Sequence, residues 1–173
     1  MAPTKYLQRH NNLAKYIHIL LLEKYGLTDE NLKWYNHTPS DVIENAATKV
    51  LWDFPIQTDH EIHHNKPDII VLRKNEKNAT IIDIAVPNDA NIATKRLEKL
   101  RNYTDLAVEM KMLWNLNKVD IVPIVIGATG VFHKEFARDT GKLGLNDKLN
   151  ISICQKIVLL GTAHIVRAFM QIA

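Results

Sequence analysis

The chain has 173 residues, 46% of them hydrophobic and 24% charged, which suits one globular domain with a core of its own and excludes a disordered or fibrous polypeptide. Its formal net charge of +3 is mildly basic and permits nucleic-acid binding without demanding it, and the eight histidines add positive charge below neutral pH. No apolar run approaches the ~20 residues of a membrane helix, Lys5, Arg9 and Lys15 interrupt any signal-peptide core, and a lone Cys154 fits a reducing compartment. The Asn-x-Ser/Thr sequons beginning at Asn36, Asn78, Asn102 and Asn150 therefore read as chance.

From the N-terminus, Leu13, Ile17, Leu20 and Leu21 make the apolar stripe of a helix from about Tyr6 to Tyr25, ended by Gly26. Arg9, His10, Lys15, His18 and Lys24 fall largely off that stripe, on a face that is either solvated or able to track phosphates. Thr28 or Asp29 can cap a short helix carrying Leu32, Trp34 and Tyr35. Residues Thr38 to Thr48 read either as a helix start, with Pro39 in the first turn, or as extended chain. Alternation over Val50, Trp52, Phe54 and Ile56 predicts a strand, and Pro55 makes it an edge or bulged one. Two runs rich in β-branched residues follow, Lys66 to Leu72 and Ile81 to Pro87, joined by the polar loop Arg73 to Asn78. A helix is predicted from about Ala90 to Trp114, with Leu97, Leu100, Ala107, Met110 and Trp114 inward. The continuous apolar run Val119 to Ile126 is that of a parallel strand covered on both faces, with the helix as its crossover. After a loop-rich stretch with one helical turn near Phe136, a last helix spans Ile151 to Ile172, with Ile157, Val158, Ile165 and Phe169 inward. The pattern predicts an α/β domain, a mixed sheet flanked by helices, over residues 1–173: an N-terminal helical part (1–47), a core (48–127) and a C-terminal helical part (128–173).

The two β-branched runs each carry an acid, Asp68 and Asp83, and a charge in a buried strand is costly unless a partner compensates it. If the hairpin loop centres between Asn75 and Glu76, Asp68 stands opposite Asp83 on one face, with Cβ atoms roughly 5 Å apart. Two carboxylates that close are comfortable around a cation or a shared proton, and oxygen ligands at that distance suit Mg²⁺ or Mn²⁺. The alternative is a surface hairpin with two solvated aspartates. The cluster Asp59-His60-Glu61-Ile62-His63-His64 is a polar turn rather than a zinc site, since no cysteine joins it. His164 reads as an interior histidine of the last helix.

The wording of these strands adds to this. Lys66-Pro67-Asp68 followed by Asp83 in the next strand resembles the PD-(D/E)-x-K nuclease superfamily. The ordered set Trp52-Asp53-Phe54, Ile56-Gln57-Thr58-Asp59, Lys66-Pro67-Asp68-Ile69, Ile82-Asp83-Ile84-Ala85-Val86-Pro87, Glu98-Lys99 with Tyr103, Val122-Pro123-Ile124-Val125-Ile126-Gly127-Ala128 and Leu159-Leu160-Gly161-Thr162-Ala163-His164-Ile165 resembles the restriction-like endonuclease domain of non-LTR retrotransposon polyproteins, in the Dong-like lineage. The likeness runs from about residue 5 to the C-terminus. It implies a PD-(D/E)xK restriction-endonuclease-like αβββαβ core with extra N- and C-terminal helices. It also implies a Mg²⁺- or Mn²⁺-dependent DNA endonuclease, nicking double-stranded target DNA so that a 3′ hydroxyl primes reverse transcription. An upstream reverse transcriptase region of the same polyprotein and a nuclear location follow from that role.

The same resemblance assigns residues. Asp68 and Asp83 would hold the metal, with the Ile84 carbonyl as a third protein ligand. Ala85 stands where the usual motif has lysine, and the displaced lysine matches Lys99 best, with Lys95 one turn earlier as the alternative. Tyr103 would contact substrate, support Lys99 or pack. Glu44, with Glu23 behind it, is the candidate for a further catalytic acid, and Asp59 either supports the site or only turns the chain. Arg9, Lys15, Lys66 and Lys95 are the positions expected at the DNA backbone. Two other functions stand beside this one: a catalytically weak nucleic-acid-binding module keeping the fold, which Ala85 favours, and a structure-selective resolvase acting as a homodimer.

Overall fold

The computed structural model describes residues 2–28, 32–145 and 148–171. Helix α1, Ala2–Lys24, ends where expected. Gly26 takes φ +66, its N–H donates to Glu23 O, and the Leu27 N–H reaches back to Leu22 O at 2.8 Å, so the last carbonyls are satisfied through a left-handed residue that glycine adopts without strain. The short helix beyond is a single 3₁₀ turn, Trp34–Asn36, without a side-chain cap. Thr28 therefore caps nothing there, and Asp29 lies outside the described residues.

The ambiguous segment before residue 48 resolves as extended chain. Strand β1, Val42–Glu44, pairs antiparallel with β2, Thr48–Trp52, across a turn in which the Asn45 side chain accepts the Ala47 and Thr48 N–H groups. Strand β2 stops short of its predicted end at Ile56 because Asp53 adopts φ 45, and its N–H then donates to Asp68 O at 2.8 Å. Strands β3, Ile69–Arg73, and β4, Asn78–Ala85, pair as predicted: Ile69 faces Ile82, which puts Asp68 across from Asp83. Strand β5, Lys118–Val125, runs parallel to β4 with Asp83 beside Pro123. The result is one five-stranded mixed sheet in the order β1-β2-β3-β4-β5.

The crossover from β4 to β5 is two helices, not the single one expected. Helix α2, Ile92–Asn102, and helix α3, Thr104–Leu113, break at Tyr103, whose φ −101 and ψ 3 lie off the helical region. The alternation of the strands sorts the core into two layers. Ile69, Val71, Ile82, Ile84, Val122 and Ile124 face α1 and helix α5, Ile151–Met170. Ile70, Ala79 and Ile81 face the other way, onto Tyr103, Leu106 and Met110. Helix α4, Phe136–Gly141, adds Phe136 to the first layer.

Several burial expectations change. Leu97 and Phe169, expected inward, are 48% and 56% exposed, and His164 is exposed rather than interior. Arg9 and His18, expected on an outer face of α1, are buried, because the sheet and α5 enclose that helix from two sides. Gly161 lets α5 come this close: a Cβ there would stand 2.5 Å from the Arg9 Cγ. Among the described residues α5 is the one helix long and apolar enough to cross a membrane by length and composition, where the sequence reading found no such run. Here its Cys154, Ile157 and Val158 stripe is buried in the layer shared with α1.

Candidate active site at the end of strands β3 and β4

The two aspartates meet where the buried strands run out. Asp83 is 3% exposed. Its Oδ1 accepts the Tyr103 hydroxyl at 2.9 Å and the Asp68 N–H at 3.2 Å. Its Oδ2 faces the Lys99 ammonium at 2.5 Å as an ion contact and receives no directed hydrogen bond. Burial first, and then the negative charge of Asp68, push the Asp83 carboxyl up to about 6. Asp68 behaves in the opposite way. Burial favours its protonated form, but the bond from His10, its positive charge and the Ile84 N–H at 2.7 Å outweigh that and hold the carboxyl below its ordinary range. One carboxylate is thus firmly ionised and its neighbour readily takes a proton, the division expected of two acids sharing a site.

The residue that the sequence reading placed elsewhere is His10. Its Nε2 stands 3.1 Å from Asp68 Oδ2 and 3.2 Å from the Ile84 carbonyl oxygen, while its Nδ1 is 3.0 Å from Asn11 Oδ1. All three neighbours are acceptors, so the ring that satisfies them carries both protons. Burial opposes that charge, yet the hydrogen bond and charge of Asp68 prevail and raise the imidazole to about 9. A sequence signal for His10 existed. It lies three residues before Leu13 and seven before Ile17, on the upstream extension of the buried stripe.

Lys99 and Tyr103 arrive from the α2–α3 junction. Tyr103 is buried, its phenol is raised by burial and by the adjacent Asp83, and its hydroxyl serves Asp83 rather than Lys99. The break in the helix sits at this residue. Helix α2 is anchored one turn before Lys99, where Arg96 makes a bidentate pair with buried Asp139 of α4, Nε to Oδ2 at 2.6 Å and the second nitrogen to Oδ1 at 2.9 Å. Ala85 packs with Ile92 and Val125, so the position from which a lysine would rise on β4 is closed by apolar side chains.

The other expected residues are not brought here. Lys95 pairs with Glu98 at 2.9 Å on the outer side of α2. Glu44 is exposed on β1 and pairs with Lys74 at 2.6 Å. The pairing puts it in line with Lys49 and Leu72, four residues along the sheet from Asp68, or roughly 13 Å at the rise of a strand. Glu23 belongs to the last turn of α1, about three and a half turns from His10. Arg9 spends its guanidinium on Thr162 Oγ1 at 2.9 Å and the Val86 carbonyl at 3.1 Å, bracing α1 against α5 and the end of β4 rather than facing solvent. Lys15 is half-buried beside His37, and Lys66 pairs with Asp53 at 3.3 Å on the exposed loop leading into Asp68. Asp59 is exposed on that loop, whose His64 ring stands edge-on to Tyr103 at 6.3 Å.

A divalent cation fits what these residues offer. Asp83 Oδ2 is a buried oxygen held against the Lys99 ammonium, and Asp68 Oδ2 and the Ile84 carbonyl converge on one donor, the His10 Nε2. Among the described residues no three His, Cys, Asp or Glu side chains form a ready-made metal cage, so a cation here would need the Ile84 carbonyl beside the carboxylates. No protein-family model matches the chain, and no curated protein does.

Proposed function

We propose that this domain is a metal-dependent DNA endonuclease of the PD-(D/E)xK kind, the restriction-like nuclease of a non-LTR retrotransposon polyprotein. The observation that carries the reading is the meeting of Asp68, Asp83 and Lys99 at the end of the β3–β4 pair, with Lys99 coming from the following helix and Ala85 in its usual place. The order of α1, β2, β3, β4, α2–α3 and β5 supports the αβββαβ core, to which β1, α4 and α5 are additions.

Asp68, Asp83 and the Ile84 carbonyl would hold Mg²⁺ or Mn²⁺. When bound, the ion supplies an activated water and charge neutralisation at the phosphate. The protein's own part is positional. The Ile84 N–H fixes Asp68, and Tyr103 fixes Asp83. Lys99, with its side chain 20% exposed, presents a cation beside Asp83 where charge develops on a phosphodiester. The double-stranded DNA target, the upstream reverse transcriptase region and the nuclear location belong to this proposal.

The test is relaxation of a supercoiled plasmid. With Mg²⁺ or Mn²⁺ the protein should convert it to the open circle, and EDTA should stop the conversion. A second reading, a catalytically weak nucleic-acid-binding module, is favoured by one observation: both carboxylates already have a cationic partner, His10 and Lys99. Duplex binding without metal-stimulated nicking would select it.

A further inference from the structure

We propose that His10 is a ligand of the divalent ion, so that the centre is a nitrogen-containing one that takes Mn²⁺ in preference to Mg²⁺. The inference rests on the metal-dependent reading above. Three groups converge on one small volume: the Asp68 Oδ2, the Ile84 carbonyl oxygen and the His10 Nε2, the last lying 3.1 Å and 3.2 Å from the other two. Nε2 stands between a carboxylate and a carbonyl oxygen, within the spacing of neighbouring ligands around one cation. A cation seated there would have the Nε2 lone pair turned toward it. Nothing else about the ring needs to change, because Nδ1–H still donates to Asn11 Oδ1 at 3.0 Å and keeps the tautomer in which Nε2 is free to bind.

The ring is also held where a ligand must be. It projects from the first half of α1, and the preceding residue, Arg9, ties that turn to Thr162 of α5 and to the Val86 carbonyl at the end of β4. A ligand on an anchored helix cannot drift from the strand end that carries the other two. An imidazole nitrogen changes which ion the site prefers. Mg²⁺ demands oxygen and holds its waters, whereas first-row transition ions accept a nitrogen ligand readily. Asp68, Asp83 and the carbonyl alone would be an oxygen site without that bias.

Mn²⁺ binding to the full 173-residue chain, followed by electron paramagnetic resonance, tests this without reference to nicking. The pulsed spectrum of the bound ion should show a directly coordinated ¹⁴N that disappears in His10→Ala and in His10→Gln. Both variants should bind Mn²⁺ at least about 10-fold more weakly, with a smaller loss for Mg²⁺ measured by competition. Far-ultraviolet circular dichroism and a melting curve on each variant establish that α1 still folds. If His10→Ala binds Mn²⁺ more tightly than the parent, or the parent spectrum lacks the ¹⁴N while binding still requires Asp68, the ring competes with the ion and the inference is wrong, yet the metal-centre reading stands. If Asp68→Ala binds Mn²⁺ as the parent does, the metal centre itself is misplaced, and both fail.

Discussion

His10 and His18 lie about two turns apart on α1, and the protein treats them in opposite ways. His10 is charged, held between Asp68 and the Ile84 carbonyl. His18 is fully buried, its Nδ1 2.7 Å from the Nε2 of His37 and its ring edge-on to Trp52 at 5.0 Å. Its Nε2 receives no partner, so the economical tautomer puts the one proton on Nδ1, donating to His37, and leaves Nε2 bare. Burial and the nearby His37 push the His18 imidazole down to about 3. One helix therefore serves a charged cluster at one end and a neutral pair in the core. The difference lies in what surrounds each ring: acids at the strand end, and another imidazole with an indole beneath the sheet. A buried group that the fold must keep neutral belongs to packing, while a buried group that the fold keeps charged against desolvation points to chemistry.

Substitutions at the charged end should separate activity from stability. Asp68→Ala and Asp83→Ala should each reduce plasmid nicking to background while the protein stays folded, since each removes a proposed metal ligand and also relieves repulsion between two close acids. Parental nicking by either purified variant would mean that the strand end is not the site. Lys99→Ala should slow nicking by about 10²-fold, the scale for losing one preorganised charge at a transition state. Lys95→Ala, which removes only an outer pair with Glu98, should leave the rate close to parental. Reversal of those two results would put the working lysine one helical turn earlier than Asp83 indicates.

The neutral end predicts an effect on stability alone. The unfolded His18 takes a proton near 6.5, whereas the folded one resists it down to about 3. Its contribution is therefore present above pH 6.5 and lost as the pH falls toward 3. His18→Gln, which offers His37 a partner but does not titrate, should flatten that acid limb in melting curves taken from pH 7 to pH 4. An unchanged limb would assign acid sensitivity to other groups. Asp83 gives a smaller effect of opposite sign. Its folded carboxyl keeps a proton up to about 6 against 3.8 unfolded, so the parent loses stability as the pH rises through that window. In EDTA, Asp83→Asn should melt higher than the parent above pH 6 and lose the advantage below pH 4. An advantage that persists at low pH would show that ionisation of Asp83 is not its source.

The contrast also explains what could be read in the sequence. The register that pairs Asp68 with Asp83 was legible because two apolar runs flank a short polar loop, and a slip of one residue would turn each strand inside out. The parallel strand β5 was legible because a run buried on both faces has no polar alternation. Lys99 was legible only through the family resemblance, with Lys95 left beside it. The break at Tyr103 was overlooked although Asn102, Thr104 and Asp105 around it are weak helix formers and Asp105 stands in the first turn of α3; the long apolar spacing ran across them, and the residue's long-range bond to Asp83 was not visible. The roles of Arg9 and His18 were obscured for a related reason. A single apolar stripe suggests one buried face, but α1 is enclosed by the sheet and α5 together, so its polar residues find partners inside. Glu44 looked eligible because a three-residue edge strand in an ambiguous segment could not be given a register.

The central claim is that the ends of β3 and β4 form a cation site. Crystals soaked in Mn²⁺ and measured at the manganese absorption edge test it most directly. The account predicts an anomalous peak within coordinating reach of Asp68 Oδ2 and the Ile84 carbonyl, on the side where Asp83 and Lys99 meet. A fully soaked crystal with no peak there, or with manganese bound only elsewhere, would contradict it.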